Sequence, residues 1–236
     1  MILRADLHTH TIASGHAYGT IRENIQGAKE AGIDLLGVTE HAPGVPNTCD
    51  PFYFQNIQVI PREINGVSLL IGSEINVKDD GTLSMEQKYI DKLDFAIVGI
   101  HMVCYRDAGK EKNTDNLIAC MQNSKVCFVS HPDDDHTPLD YERFVKAAKE
   151  FHVAPEVNNS SLLKPDRRLN CFENYRTMLG FCKKHDVPII ISSDAHDPSG
   201  VGRLEPAIRL VEECGFPEEL VLTTSREKAL EFIYGR

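Results

Sequence analysis

The sequence predicts an α/β barrel of the (β/α)7 type, with parallel strands joined through helices. Two observations carry this. Short apolar runs alternate with helix-like stretches along all 236 residues, and several runs lack the polar alternation of a half-solvated strand. The histidines and a few acidic residues fall at the ends of these runs, where parallel α/β barrels build their sites.

The strand candidates are residues 3–8, 34–39, 68–75, 95–101, 126–131, 153–157 and 188–193. Helices are predicted over 20–31, 84–92, 115–123, 140–151, 172–185 and 204–214, with Ser84 and Asp140 as N-caps and Gly32 and Gly215 as stops. Residues 43–64 read as a Pro/Asn-rich loop followed by a short helix or two. A weak last strand over 220–224 leads into a terminal helix over 225–234. Seven strands leave the barrel one unit short of the eight-unit form. No linker, repeat or low-complexity tract divides the chain, so residues 1–236 are expected to form one domain.

Composition narrows the function classes. No apolar run approaches the length that crosses a bilayer, so no membrane partner is expected. The start Met-Ile-Leu-Arg-Ala-Asp has no signal-peptide pattern, which makes a cytoplasmic location the expectation. Seven cysteines, an odd count without a C-x-x-C pair, predict reduced and mostly buried thiols. A net charge of −10 argues against nucleic acid as a partner. An anionic small substrate stays compatible, because bound cations dominate the local charge of a site.

The chemistry begins at Asp6-Leu7-His8-Thr9-His10, followed by His16. Residues two apart on a strand share a face, so Asp6, His8 and His10 are expected to project together, the two imidazoles gripping one metal ion. The theme recurs at Glu40-His41, Glu74, His101, His131 and Asp194-Ala195-His196, each at or just after a predicted strand end. His136, His152 and His185 fall outside the pattern and read as solvated or capping residues. Seven imidazoles and two carboxylates exceed the needs of one four-coordinate zinc and suffice for two or three ions. Glu74, on a middle strand, is the best placed to bridge. Such a donor set suits zinc, iron or manganese.

The motifs Asp6-Leu7-His8-Thr9-His10, Thr39-Glu40-His41, Gly72-Ser73-Glu74, Gly99-Ile100-His101, Ser130-His131-Pro132 and Ser193-Asp194-Ala195-His196 resemble those of the PHP (polymerase and histidinol phosphatase) superfamily. In length the chain is most similar to its short, stand-alone bacterial phosphatases with a trinuclear metal site. The resemblance implies a distorted, TIM-barrel-like (β/α)7 barrel and three divalent ions per chain, zinc first and manganese or iron as alternatives. It assigns His8, His10, Glu74 and Asp194 to one ion, Glu74, His101 and His131 to a second, and His16, His41 and His196 to the third. Glu40 stands where many relatives carry aspartate, and is expected to orient a ligand.

The function so implied is hydrolysis of small-molecule phosphomonoesters by a metal-activated hydroxide, with Glu74, Asp194 and His196 as the candidates for catalysis. A small phosphorylated metabolite is the expected partner. Substrate contacts are sought among basic residues near strand ends. Arg203 leads, since Gly200-Val201-Gly202 lets the backbone turn back to the rim, and Arg167 and Arg168 follow; Arg22, Lys78 and Arg106 are further candidates. The run Asp133-Asp134-Asp135 reads as a solvated loop or a contact for a cationic group. Asn158 and Asn159 read equally as turn or ligand contacts. A phosphodiesterase or exonuclease is the nearest alternative. An amidohydrolase is further off, lacking a lysine at a middle strand end, and a non-catalytic metal-binding module is the last.

Overall fold

The computed structural model describes residues 1–235; Arg236, the last residue of the predicted domain, lies outside them. The strands are β1 (Ala5–Thr9), β2 (Leu35–His41), β3 (Glu63–Ile64), β4 (Val67–Asn76), β5 (Ala96–Gly99), β6 (Val126–Val129), β7 (Ala154–Asn158) and β8 (Ile190–Ser192). Seven of them run parallel in the order β1-β2-β4-β5-β6-β7-β8, while the two-residue β3 pairs antiparallel with β4. The result is the predicted distorted (β/α)7 barrel, nearly closed.

Closure between β8 and β1 uses single backbone bonds. Near the carboxyl ends, His10 N–H donates to Ala195 O and Asp194 N–H to His8 O, both at 2.9 Å. At the other end, Leu222 N–H donates to Ile189 O (2.9 Å) and Arg4 N–H to Thr223 O (2.8 Å). The expected weak strand over 220–224 is therefore a seam. It consists of two 3-10 turns, Glu218–Leu220 and Leu222–Thr224, joined at a one-residue bridge from Val221 to Ile189.

The helices are α1 (Ile21–Glu30), α2 (Gln87–Ile90), α3 (Lys110–Met121), α4 (Tyr141–Glu150), α5 (Asn159–Leu162), α6 (Cys171–His185), α7 (Glu205–Glu213) and α8 (Arg226–Tyr234). Thr20 and Glu23 form a capping box on α1, and Asp140 caps α4 by accepting from Arg143 N–H at 3.1 Å. Gly32 and Gly215 follow α1 and α7 with positive φ, as the stops require. Ser84 caps nothing: α2 is one turn starting at Gln87, and the Ser84 hydroxyl instead accepts from the Asn76 backbone N–H at 3.2 Å. Helix α3 starts five residues before its predicted position, after Gly109 at φ 85°. The loop after β2 carries the 3-10 helix Pro51–Val59, with its N-terminus capped by Asp50.

The barrel interior explains where the site lies. Leu7, Leu35, Leu70, Phe95, Phe128 and Ile190, from strands all around the barrel, pack into one cluster with Phe232 and Ile233 of α8. Side chains of opposite strands meet only inside a barrel, so this is its apolar floor. Counting up by twos reaches His41 from Leu35, Glu74 from Leu70, His101 from Phe95 and Asp194 from Ile190. The donors thus stand two or three such steps above the floor, at the carboxyl ends. No disulfide joins the seven cysteines, four of which are buried. No described helix is long and apolar enough to cross a membrane.

Candidate metal centre

Glu74 is the hub of the polar layer. It is fully buried, and its two oxygens face different imidazoles. Oε2 lies 2.9 Å from His41 Nδ1, 3.4 Å from His8 Nε2 and 3.6 Å from His10 Nε2. Oε1 lies 2.8 Å from His131 Nε2 and 3.1 Å from His101 Nε2. Asp194 Oδ1 adds contacts of 3.2 Å to His10 Nε2 and 3.5 Å to His196 Nδ1. Gly99 permits this crowding: a Cβ there would come within 2.1 Å of Ser130 Oγ and 3.3 Å of Glu74 Oε1.

The donor set fits cations by two observations. Both oxygens of Glu74, Nδ1 of His41 and both nitrogens of His101 are buried without a hydrogen-bond partner, and such orphans are costly. Imidazole lone pairs also face one another. His8 Nδ1–H donates to Glu156 Oε1 (2.8 Å), and His10 Nδ1–H to Ser14 Oγ (2.9 Å), whose own proton goes to Glu40 Oε2 (2.6 Å). With both rings neutral, as ligation requires, His8 Nε2 and His10 Nε2 are two acceptors 3.1 Å apart. Without a cation, burial is outweighed by Glu156, Glu74 and Asp194, which raise His8 well above the usual histidine range, so a proton takes the cation's place. His16 and His196 repeat the arrangement, each Nδ1–H on a backbone carbonyl and the two Nε2 atoms 3.0 Å apart. A shared cation turns such a repulsive pair into two ligand bonds. His131 differs, since its Nδ1 accepts from Arg168 Nη1 at 3.3 Å.

Three groups bring one donor atom each within 4.8 Å of the others: His8, His10 and Asp194; His10, His41 and His196; and His41, Glu74 and His101. Electrostatics match the geometry. Burial opposes ionisation of Glu74, yet the imidazoles of His101, His8 and His41 outweigh it and hold the carboxyl well below the usual range. Asp194 is likewise depressed against its burial by His8 and His10. His10 is pushed well down by burial and by His41 beside it, which keeps it neutral and able to ligate. Burial, then His196 and His41, lower His16 in the same sense.

The buried supports are as informative as the donors. Glu40 accepts from the Thr11 backbone N–H (3.1 Å), the Thr11 hydroxyl and Ser14, and Ser14 also accepts from His41 N–H at 3.0 Å. Glu40 thus acts on His10 through Ser14. Glu156 Oε2 accepts from His131 N–H (2.7 Å) and from Asn158 Nδ2 (3.0 Å), so one carboxylate braces His8 and His131 together. His131 and Asp194 hold positive φ, 29° and 52°, a strain their neighbours must maintain. Asp6 does not project with His8 and His10. The register of β1 shifts between Asp6 and Thr9, and the Asp6 carboxylate accepts from the backbone N–H groups of Ser193 (3.0 Å) and Gly202 (2.9 Å).

The PHP domain family model matches residues 6–153. The chain belongs to the PHP domain family. It is 41% identical over 229 residues to a "Probable phosphatase" of Clostridium botulinum (strain Langeland), covering 97% of this chain and 93% of the relative. A "Probable phosphatase" of Caldicellulosiruptor saccharolyticus is 37% identical over 235 residues, covering 99% and 97%. Among solved structures, histidinol phosphate phosphatase from Lactococcus lactis, complexed with zinc, L-histidinol and phosphate, superposes with a TM-score of 0.66. That match covers 92% of this chain and 95% of the other at 20% identity, and shows a shared fold.

Around the cluster of this PHP domain, the basic candidates separate. Arg168 reaches it, standing 3.3 Å from His131 and 3.4 Å from buried Asp133. Arg203 lies in the wall of a rim cleft that also holds Asp194 and His196. Arg167 is exposed on the turn Pro165–Arg167, with no side-chain hydrogen bond or ion pair among the described residues. Lys78 faces Asp80 at 3.9 Å, and Arg22 lines a separate pocket with Tyr53. The Asp133–135 run is not a solvated loop. Burial pushes the Asp133 carboxyl up to about 7 against the pull of Arg168. Asp134 accepts from the backbone of His136 and Leu169, and Asp135 from Asn170 and Asn174. Asn158 donates to Glu156 and to Asp194 Oδ2 (3.3 Å), while Asn159 accepts from Ala207 N–H.

Of the remaining histidines, His152 stacks on Phe232 with centroids 4.1 Å apart, and His185 closes α6. His136 is exposed and pairs with Asp134 at 2.7 Å. His136→Ala is therefore expected to leave turnover nearly unchanged, because the pair lies at the surface and touches none of the donors, and its loss costs at most about 1 kcal/mol of stability. A large loss in steady-state assays would redraw the site boundary.

Glu156 is the functional residue that sequence reasoning passed over. Its signal was a lone acid in the otherwise apolar strand core Val153-Ala154-Pro155-Glu156-Val157, on the same face as Asn158.

Proposed function

We propose that this PHP domain is a metal-dependent phosphatase of small phosphomonoesters. His8, His10, Glu74 and Asp194 would hold one divalent ion, Glu74, His101 and His131 a second, and His16, His41 and His196 a third, with zinc foremost. The observation that carries the reading is Glu74, a buried carboxylate with each oxygen turned to its own set of imidazoles. The phosphatase names of relatives that match over nearly their whole length support the reaction class. Bound divalent ions supply Lewis acidity there, acidifying water toward neutrality and screening phosphoryl charge.

The chain's own residues prepare that chemistry. Glu156 and Ser14 hold the Nδ1–H of His8 and His10, so the Nε2 lone pairs stay aimed inward without reorganisation. Asn158 fixes Asp194 by donating to Oδ2, which leaves Oδ1 toward the histidines. Arg168, whose Nη1 stands 3.3 Å from His131, offers a guanidinium group to a phosphate oxygen.

The test is elemental analysis of freshly purified protein, with p-nitrophenyl phosphate and bis-p-nitrophenyl phosphate turnover before and after chelation. Two to three ions per chain and chelator-sensitive monoester hydrolysis are expected. Diester cleavage without monoester cleavage would replace the reading by a phosphodiesterase, and turnover that survives complete metal removal would end it.

A further inference from the structure

We infer that this site prefers phosphomonoesters of amphiphilic alcohols, with an apolar or aromatic segment beside the ester oxygen and a second anionic group, carboxylate or phosphate, beyond it. The inference rests on the phosphatase reading and specifies its substrate. A cleft of about 380 Å³ opens against the donor cluster, with Asp194 and His196 in its wall. An ester with its phosphoryl group among the donors would lay its alcohol portion there.

The lining has two features that the rest of the fold does not require. Tyr18 and Leu163 border the cleft and remain 79% and 63% exposed. They are not isolated: Ile12, Phe52, Met102 and Val103 are also exposed, all in loops that follow strand carboxyl ends. Exposed apolar surface gathered on the rim of a polar site marks a face that binds something apolar.

The second feature is charge. Lys164 and Arg203 line the same cleft, and neither has a carboxylate within ion-pair distance among the described residues. Lys164 Nζ donates only to Ser160 Oγ (2.8 Å), and Arg203 uses only Nε, on Ser199 O, leaving its terminal nitrogens free for a bidentate anion. Two unpaired cations in one cleft stand out in a chain with 35 acidic and 25 basic residues. Asp197, also in the lining, commits Oδ1 to the N–H (3.0 Å) and hydroxyl (2.5 Å) of Ser199. A cation placed against Lys164 and Arg203 would instead meet like charge.

The test is calorimetric binding of phosphonates to the metal-loaded protein, beside turnover of the matching phosphate esters. Benzylphosphonate is expected to bind more tightly than ethylphosphonate. 4-Carboxybenzylphosphonate should gain about ten-fold over benzylphosphonate, and 4-(aminomethyl)benzylphosphonate should lose affinity. A para-xylylene bisphosphonate that beats the carboxylate points to a second phosphate, and the reverse to a carboxylate. Arg203→Gln with Lys164→Gln should bring the carboxybenzyl-to-benzyl ratio to about one, and Tyr18→Ala with Leu163→Ala should erase the benzyl-over-ethyl preference. Equal affinity for the carboxylated and aminomethylated ligands would overturn the inference while leaving the phosphatase reading intact. The expected order without hydrolysis of any ester would keep the cleft assignment and remove the reaction. Binding of none of them would remove both.

Discussion

Glu74→Gln is expected to cost activity and bound metal together, with turnover down by about two orders of magnitude or more. The variant keeps volume and shape but removes one negative charge from a buried site ringed by His8, His10, His41, His101 and His131. It also places an amide donor where an oxygen faced imidazole nitrogens, so one of the two sets loses its shared ligand. A metal centre contributes several kcal/mol of charge stabilisation, and each 1.36 kcal/mol is about ten-fold in rate. The fold should survive, because both Glu74 oxygens lack hydrogen-bond partners and amidation leaves no new partner orphaned. Metal per chain and turnover are measured on one preparation, with circular dichroism as the folding control. Full activity with undiminished metal would withdraw the bridging role.

How much of this was legible beforehand depended on the physical character of each signal. The parallel strands could be read because burial on both faces leaves near-continuous apolar runs, and β2 and β4 are buried at every position. Strand ends could not. β5 and β6 stop at Gly99 and Val129, before His101 and His131, so those donors sit past the ladder, and at His131 the backbone leaves the extended region for φ 29°. The gathering of these histidines and acids in one cluster was legible, since side chains at parallel strand ends have one shared destination. Asp6 misled because a register shift breaks the two-residue alternation, a feature of pairing that composition does not carry. Asp133 misled because the side chain that covers it, Arg168, comes from a loop 35 residues away.

Glu156 shows what such reading leaves out, and its replacement has the second largest effect expected. The carboxylate takes three donors: His8 Nδ1–H, His131 N–H and Asn158 Nδ2. Glutamine at this position offers one acceptor oxygen and one amide donor to the same three groups. If the amide nitrogen faces His8, donor meets donor, and relief comes from moving the imidazole proton to Nε2, the nitrogen aimed at Glu74 and Asp194. If it faces His131, the backbone held at φ 29° loses the bond that maintains it. Either outcome degrades a donor that the proposed first or second ion requires. Glu156→Gln should therefore weaken metal affinity by about ten- to a hundred-fold, the range typical of groups that orient ligands, with a parallel loss of turnover. Glu156→Asp keeps both acceptors on a shorter stem and should recover part of it. Competition against a chromophoric chelator gives the affinity, and imidazole nitrogen chemical shifts, read at a pH high enough to leave His8 neutral, give its tautomer in the metal-free protein. A brace that merely filled space would leave that tautomer, and the metal affinity of the glutamine variant, unchanged. A tautomer shift with a metal deficit that aspartate partly restores would show that Glu156 acts through the proton on His8.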